Sequence, residues 1–212
     1  MRIYLLISTL LVTCIPCGVG AGEPNQQDSR TNLAEILQYV DKFAKTLDID
    51  VPSPLTTNDV TQFLPAGIGG VAGVRISGRY HFVFDARYHF IHTFTDRKYS
   101  MLVQWRAEAI EPLIQQSKVS TNQAVEMARN YLTKLGYSEE KLPPLLPPEV
   151  HQWTWGPDGA PKVELLPFFT IVWKWKKNPD MQYCNIEIDG LRRKVTFFDI
   201  TYTLHEADIP NP

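Results

Sequence analysis

The chain has 212 residues, of which 44% are hydrophobic, so it is long enough to bury a full core in one domain or two small ones. It carries 21 basic and 23 acidic residues and a net charge of -2. Such a balance indicates no clustered basic surface, and we therefore exclude nucleic acid as a partner.

The N-terminus, residues 1–21, has the pattern of a signal peptide. Arg2 supplies the positive charge, an apolar run extends from Leu5 to Val12, and small residues lead up to Ala21. We predict cleavage near Ala21 and export to the periplasm or the medium, with no transmembrane span in the mature chain. An alternative is a lipoprotein anchored at Cys14, because the residues before this cysteine resemble a lipobox.

Cysteine usage depends on that cleavage. Cys14 and Cys17 form a C-x-x-C pattern but lie inside the predicted leader, which leaves Cys184 alone. A single cysteine in an alternating apolar strand is typical of a small core residue. No disulfide or zinc framework is predicted.

The remaining chain is divided into a flexible tail (22–30), an N-terminal α+β module (31–118), a second α+β module (119–205) and a C-terminal tail (206–212). The first module begins with a helix whose apolar residues from Leu33 to Leu47 share one face, capped by Thr31 or Asn32. A short helical turn is predicted within 56–64 and a glycine-rich connector at 67–73. Strands follow at 74–84 and 87–95, and then a strand or helix within 99–114.

The best-specified helix is Val119–Tyr137. Ser120 and Gln123 form the S-x-x-Q capping box, and apolar residues then recur at steps of three and four. Gly136 and Tyr137 have the spacing of a left-handed helix end. A helix with one apolar stripe needs a second layer to cover it.

Prolines between Leu142 and Pro148 predict an extended connector after this helix. Strands follow at 149–155, 168–176, 183–189 and 194–203, with a turn at 178–180. In the third of these strands, alternation places Cys184, Ile186 and Ile188 inside and the intervening Asn185, Glu187 and Asp189 outside.

Histidines lie close together in sequence at His81, His89 and His92. Imidazole titrates near neutrality and binds metals, so a metal site or an acid–base pair is one hypothesis. On a strand, however, His89 and His92 point to opposite faces, and neither an H-E-x-x-H helix nor a carboxylate pair completes a site. We predict no metal, no cofactor and no catalytic residue.

Tryptophans form two W-x-W patterns, Trp153 with Trp155 and Trp173 with Trp175. Residues two apart on a strand face the same way, so each pair presents a double aromatic surface. Core packing is favoured for Trp173 and Trp175, whose face is otherwise apolar. Trp153 and Trp155 are the candidate ligand-binding residues.

Three segments together resemble a PepSY domain: the helix Ser120 to Tyr137, the aromatic strand Phe169 to Trp175, and Ile186 to Gly190 followed by Lys194-Val195. The resemblance covers about residues 119–200. It implies a module without catalytic residues, found in exported bacterial proteins and in propeptides of thermolysin-like metallopeptidases. Val74 to Gly78 echoes Ile186 to Gly190, which makes the N-terminal half a candidate for a diverged second copy.

The sequence therefore predicts a two-layer α+β fold, with helices packed on one face of antiparallel sheet, as one module or a tandem of two similar ones. The expected function is an exported, non-enzymatic binding module for a peptide or protein, with a peptidase among the candidate partners. Two alternatives remain: a small-ligand binder that uses the aromatic platform, and a histidine-dependent hydrolase.

Overall fold

A computed structural model describes residues 32–67, 70–100, 119–137, 145–156 and 164–200. The predicted signal peptide, both predicted tails and most of segment 99–114 lie outside the described residues. Among the helices of the described residues, none is long and apolar enough to cross a membrane.

Helix α1 (Leu33–Thr46) begins where predicted, because the Asn32 side chain accepts a hydrogen bond from the Ala34 N–H at 3.0 Å. Its buried face contains the predicted apolar residues, and the chain turns away at Leu47. A single helical turn, α2 (Arg97–Ser100), follows the fourth strand.

Helix α3 (Thr121–Lys134) confirms the predicted capped helix. The Gln123 N–H donates to Ser120 Oγ at 3.2 Å, and the Ser120 N–H donates to Gln123 Oε1 at 2.8 Å. At the other end Gly136 has a φ of 91°, and the Tyr137 N–H reaches back to the Leu132 carbonyl at 2.9 Å. Local sequence signals determine both ends of this helix.

Within the described residues, eight antiparallel strands form one sheet, in the order β1-β2-β3-β4-β8-β7-β6-β5. The strands are β1 Val60–Leu64, β2 Val71–Ile76, β3 Tyr80–Asp85, β4 Phe90–Asp96, β5 Glu149–Trp155, β6 Glu164–Trp175, β7 Asn178–Asp189 and β8 Lys194–Ile200.

The predicted fold class is wrong. The described chain is a sheet-rich fold built on one large antiparallel sheet, and two helices of 14 residues are the minor element. The physical reason is strand β8, which pairs with β7 on one side and with β4 on the other. This pairing joins the strands of both sequence halves into one ladder, so the predicted two-layer fold and the tandem of separate modules do not form.

The two faces of the sheet differ in polarity. On the first, here called the helix face, Phe43 of α1 packs against Phe82, Phe94 and Phe198 with ring centroids 5.5 to 6.1 Å apart. The opposite face, here called the second face, carries a row of side chains that the strand register aligns across the sheet. The row consists of Arg75, His81, Thr95, Phe197, Glu187, Thr170 and His151.

Two local predictions need correction. The short helical turn expected within 56–64 is present at Thr57–Asp59, but strand β1, which follows it directly, was not predicted. The turn expected at 178–180 lies instead at Lys176 and Lys177, so β7 begins at Asn178. In β7 the turn-forming residues Asn178, Pro179 and Asp180 lie at the start of the strand, where tertiary pairing overrides their local preference.

Candidate functional site

The candidate site is the β5 edge, which we define as Glu149–Trp155 together with the adjoining side chains of Leu165 and Phe168. β5 is one of two edge strands of the described sheet, and its only strand partner there is β6. Glu149, His151 and Thr154 are exposed along it. An edge strand presents unpaired backbone N–H and C=O groups on its open side.

Trp153 is the candidate binding residue whose side chain the structure describes at this edge. Its indole N–H donates to Thr170 Oγ1 at 2.8 Å, and its ring lies 5.7 Å from the Phe168 ring at an angle of 51°. The side chain is half-buried. The hydrogen bond fixes the orientation of the indole, and part of the ring stays at the surface.

The other tryptophans differ from Trp153. Trp155 belongs to β5 and pairs with Glu164, but its side chain lies outside the described part of the structure. Trp173 is buried, as predicted, and lies opposite Cys184 on the helix face. Trp153 is therefore the tryptophan whose side chain the structure describes at the β5 edge.

A break in the β5–β6 ladder shapes the end of this edge. Pro167 has no N–H for the ladder, and the register jumps, so that Thr154 pairs with Leu165. The Pro167 carbonyl instead accepts the Gly190 N–H at 2.7 Å, and a Cβ at Gly190 would lie only 2.6 Å from that oxygen. The break leaves Leu165 54% exposed beside the edge.

Charge at the β5 edge is balanced by one ion pair. Lys174 Nζ lies 2.8 Å from Glu149 Oε1. Both side chains are partly exposed, so the pair contributes little to stability. The exposed edge is close to neutral.

The opposite edge, β1, is shorter and irregular. It has five residues, and its register shifts between Val60 and Gln62. The Thr61 hydroxyl at this shift accepts the Gly78 N–H at 3.0 Å and donates to the Arg75 carbonyl at 3.2 Å. Short length and a bulge are two ways in which proteins block pairing at a sheet edge. β5 also has a register shift, between Gln152 and Thr154, but with seven residues against five it is the longer edge strand of the described sheet.

The three histidines do not come together. His89 lies in the β3–β4 turn with a φ of 55°, and its Nδ1 is 3.4 Å from Glu35 Oε1 of α1. His92 lies at a bulge, because Val83 pairs with Thr93 while the next residue of β3 pairs with Ile91. Sequence alternation gave no signal for this bulge.

The bulge places His92 beside Thr93, with His92 Nδ1 3.0 Å from Thr93 Oγ1. The Thr93 hydroxyl donates to Asp199 Oδ1 at 2.6 Å. Burial lowers the pKa of His92, and the Asp199 carboxylate opposes that shift.

Burial also lowers the pKa of His81. Across the described residues we find no group of three or more His, Cys, Asp or Glu side chains arranged to hold a metal ion.

The acids of β7 depart from the predicted solvent-facing pattern. Asp189 is 1% exposed, because its carboxylate accepts the N–H groups of Leu191 and Arg192 and the Arg192 Nε–H. Glu187 is half-buried on the second face, and burial raises its pKa to about 7. The intervening Cys184, Ile186 and Ile188 are buried as predicted.

Comparison with known proteins found no matching family, no similar curated protein and no similar solved structure. The resemblance to PepSY domains therefore stays a prediction from the sequence.

Proposed function

We propose that this chain is a non-catalytic binding protein that takes up an extended segment of a partner peptide or protein along the β5 edge. The observation that carries the proposal is the seven-residue edge strand with the half-exposed Trp153 on one face and the exposed Leu165 beside it. Addition of a strand to a sheet edge is a recurring mode of peptide recognition.

The backbone and the side chains of the β5 edge have separate roles in this proposal. Backbone hydrogen bonds hold any extended segment, whereas side chains on alternate positions select its sequence. Trp153 and Leu165 offer apolar contacts, and the single Glu149–Lys174 pair adds no net charge. The favoured partner is an uncharged strand with apolar or β-branched side chains on alternate positions.

The compartment and the kind of partner remain proposals as well. An exported chain meets other exported proteins, and the PepSY resemblance narrows the candidates to peptidases or their substrates. Strand addition occupies a partner segment without cleaving it, which suits an inhibitory or chaperone-like role.

A small-ligand binder is the second candidate. The observation in its favour is the Trp153 indole, whose orientation is fixed by Thr170 while part of its ring stays exposed. A flat apolar ligand would stack on this ring without protecting the backbone of β5.

Hydrogen exchange distinguishes the two candidates. With a short peptide of alternating valine and threonine as the probe, we expect slower amide exchange along β5 and no change along β1. Protection along β1 as well as β5 would contradict selective strand addition. Quenching of Trp153 fluorescence by the peptide without any protection of β5 would favour the small-ligand interpretation instead.

Two leucines provide a matched pair of variants. Leu165 and Leu64 are each 54% exposed, one beside each sheet edge. We expect Leu165→Ala to weaken peptide binding about fivefold, since it removes apolar contact area worth about 1 kcal/mol. Leu64→Ala should leave binding unchanged, and equal losses in the two variants would refute the β5 site.

A further inference from the structure

A second, separate site is formed by charged side chains on the helix-face side of the sheet. A cavity of about 120 Å³ lies where the chain leaving α1 meets the β2–β3 turn, the end of β4 and the β7–β8 turn. Its charged lining consists of Asp48, Asp50, Arg79, Asp96, Arg192 and Lys194. We call this cavity the arginine cleft.

Arg79 is held rigidly in the arginine cleft. Its Nε and Nη2 atoms donate to the two oxygens of Asp96 at 2.8 and 2.6 Å, and that carboxylate is buried. The guanidinium also lies over the Tyr80 ring, 4.6 Å from its centroid. A guanidinium has five N–H donors, so this bidentate pair leaves the Nη1 group of Arg79 for other acceptors.

Arg192 is held in a similar way from the neighbouring turn. Its Nε donates at 2.8 Å to Asp189, a buried carboxylate that does not line the cavity. Burial lowers the pKa of Arg192; the Asp96 carboxylate opposes this shift, and Arg79 adds to it. Two guanidinium groups from different hairpins thus line the same cavity.

The remaining charges lie towards the outside of the arginine cleft. Lys194 Nζ donates to the Asp48 carbonyl at 2.9 Å and lies 3.1 Å from its carboxylate, which is largely exposed. Asp50 adds a further carboxylate to the lining. The lining therefore contains three cations and three carboxylates, so the site as a whole has little net charge.

We propose that the arginine cleft binds the α-carboxylate of an amino acid, either free or as the last residue of a peptide. Planar guanidinium groups held in place by buried aspartates match the fork of a carboxylate. The volume suits a small residue, and Asp50 offers an acceptor for an ammonium group. A dianion such as phosphate is disfavoured, because the carboxylates of the lining repel a second negative charge.

Four small probes test the chemistry of the site by isothermal titration or NMR on the full chain. We expect saturable binding of glycine or N-acetylglycine and none of N-acetylglycinamide, which lacks the carboxylate. Tighter binding of glycine indicates the free amino acid as the ligand, and tighter binding of N-acetylglycine indicates a peptide terminus. Equal binding of the amide, tighter binding of phosphate, or no binding of either carboxylate would overturn the proposal.

Three arginine variants distinguish a loss of carboxylate binding from a loss of stability. Arg79→Gln and Arg192→Gln should each weaken carboxylate binding about tenfold or more, because each removes charge-assisted hydrogen bonds. Arg87→Gln is the matched control: Arg87 forms the same bidentate pair with the buried Asp85 but does not line the arginine cleft. It should lower stability as Arg79→Gln does and leave binding intact. Loss of binding in Arg87→Gln to the same degree would refute the site.

The proposals for the arginine cleft and for the β5 edge can be tested independently of each other. The arginine cleft contains no residue of β5 or β6. Carboxylate probes therefore leave amide exchange along β5 unchanged, and the valine–threonine peptide, if its C-terminus is amidated, does not compete with glycine.

Discussion

Phe197 and Phe198 are neighbours in β8, yet they belong to two different environments. Phe198 is fully buried on the helix face, 5.5 Å from the ring of Phe43. Phe197 is half-buried on the second face, between Thr95 and the carboxyl group of Glu187. The hydrophobic cluster that contains Phe198 lies on the helix face, whereas the second face combines polar and titratable groups with buried apolar residues such as Phe168 and Val172.

Alanine substitution at these two positions is the strongest test of that comparison. We expect Phe198→Ala to reduce the free energy of unfolding by about 4 kcal/mol, because it leaves a cavity between α1 and the sheet. Phe197→Ala should cost about 1 to 2 kcal/mol, since its side chain is already partly in water. Urea denaturation of both variants provides the measurement, and equal losses would contradict this difference between the two faces.

The burial of a titratable group on the second face is tested by the pH dependence of stability in the variant Glu187→Gln. The folded pKa of about 7 lies above the ordinary value of 4.5, so the fold favours the protonated carboxyl. The stability contributed by this group is complete below about pH 4.5 and is lost as the pH rises towards 7. We expect Glu187→Gln to raise the free energy of unfolding by about 2 kcal/mol at pH 8 and to have almost no effect at pH 4.

The control for this pH effect is Glu126→Gln, at an exposed position of α3. It should change stability by less than about 0.5 kcal/mol at either pH. A gain at Glu187 that is the same at pH 4 and pH 8 would indicate that desolvation of the carboxylate is not its cause.

Local sequence signals account for the part of the fold that was predicted correctly. The capping box of Ser120 and Gln123 and the helix end at Gly136 lie within one segment, and the structure contains both. Strand β5 occupies the predicted residues 149–155, because apolar alternation is also a local property.

Long-range pairing explains why the fold class was not predicted. The bond between Thr93 and Asp199 joins residues 106 positions apart, and no local pattern indicates that β4 and β8 are neighbours. The proposed sites were difficult to predict for the same reason. Trp153 was found from its W-x-W pattern, whereas Arg79 and Arg192 become neighbours only when their hairpins meet in the fold.

Bulges are the second reason why predictions of side-chain orientation from the sequence were wrong. The extra residue at His92 and the ladder break at Pro167 both alter which side chains share a face, and strict alternation cannot anticipate them. Asp189 was also assigned to the wrong environment. Its carboxylate was predicted to face solvent, but it is buried and accepts hydrogen bonds from the backbone of the turn that follows it.

The smallest change in the free energy of unfolding is expected for a substitution at the start of α3, the helix that covers part of the helix face. Ser120→Ala removes the hydrogen bond to the Gln123 N–H and should cost about 1 kcal/mol. Because Cys184 is 1% exposed beneath the helices, its thiol reacts only when this face opens. A loss of 1 kcal/mol should therefore speed thiol labelling at Cys184 about fivefold. The exposed neighbour Thr121 is the control, and Thr121→Ala should label at nearly the wild-type rate. If Ser120→Ala labels no faster, the helix cap does not help to keep the helix face closed.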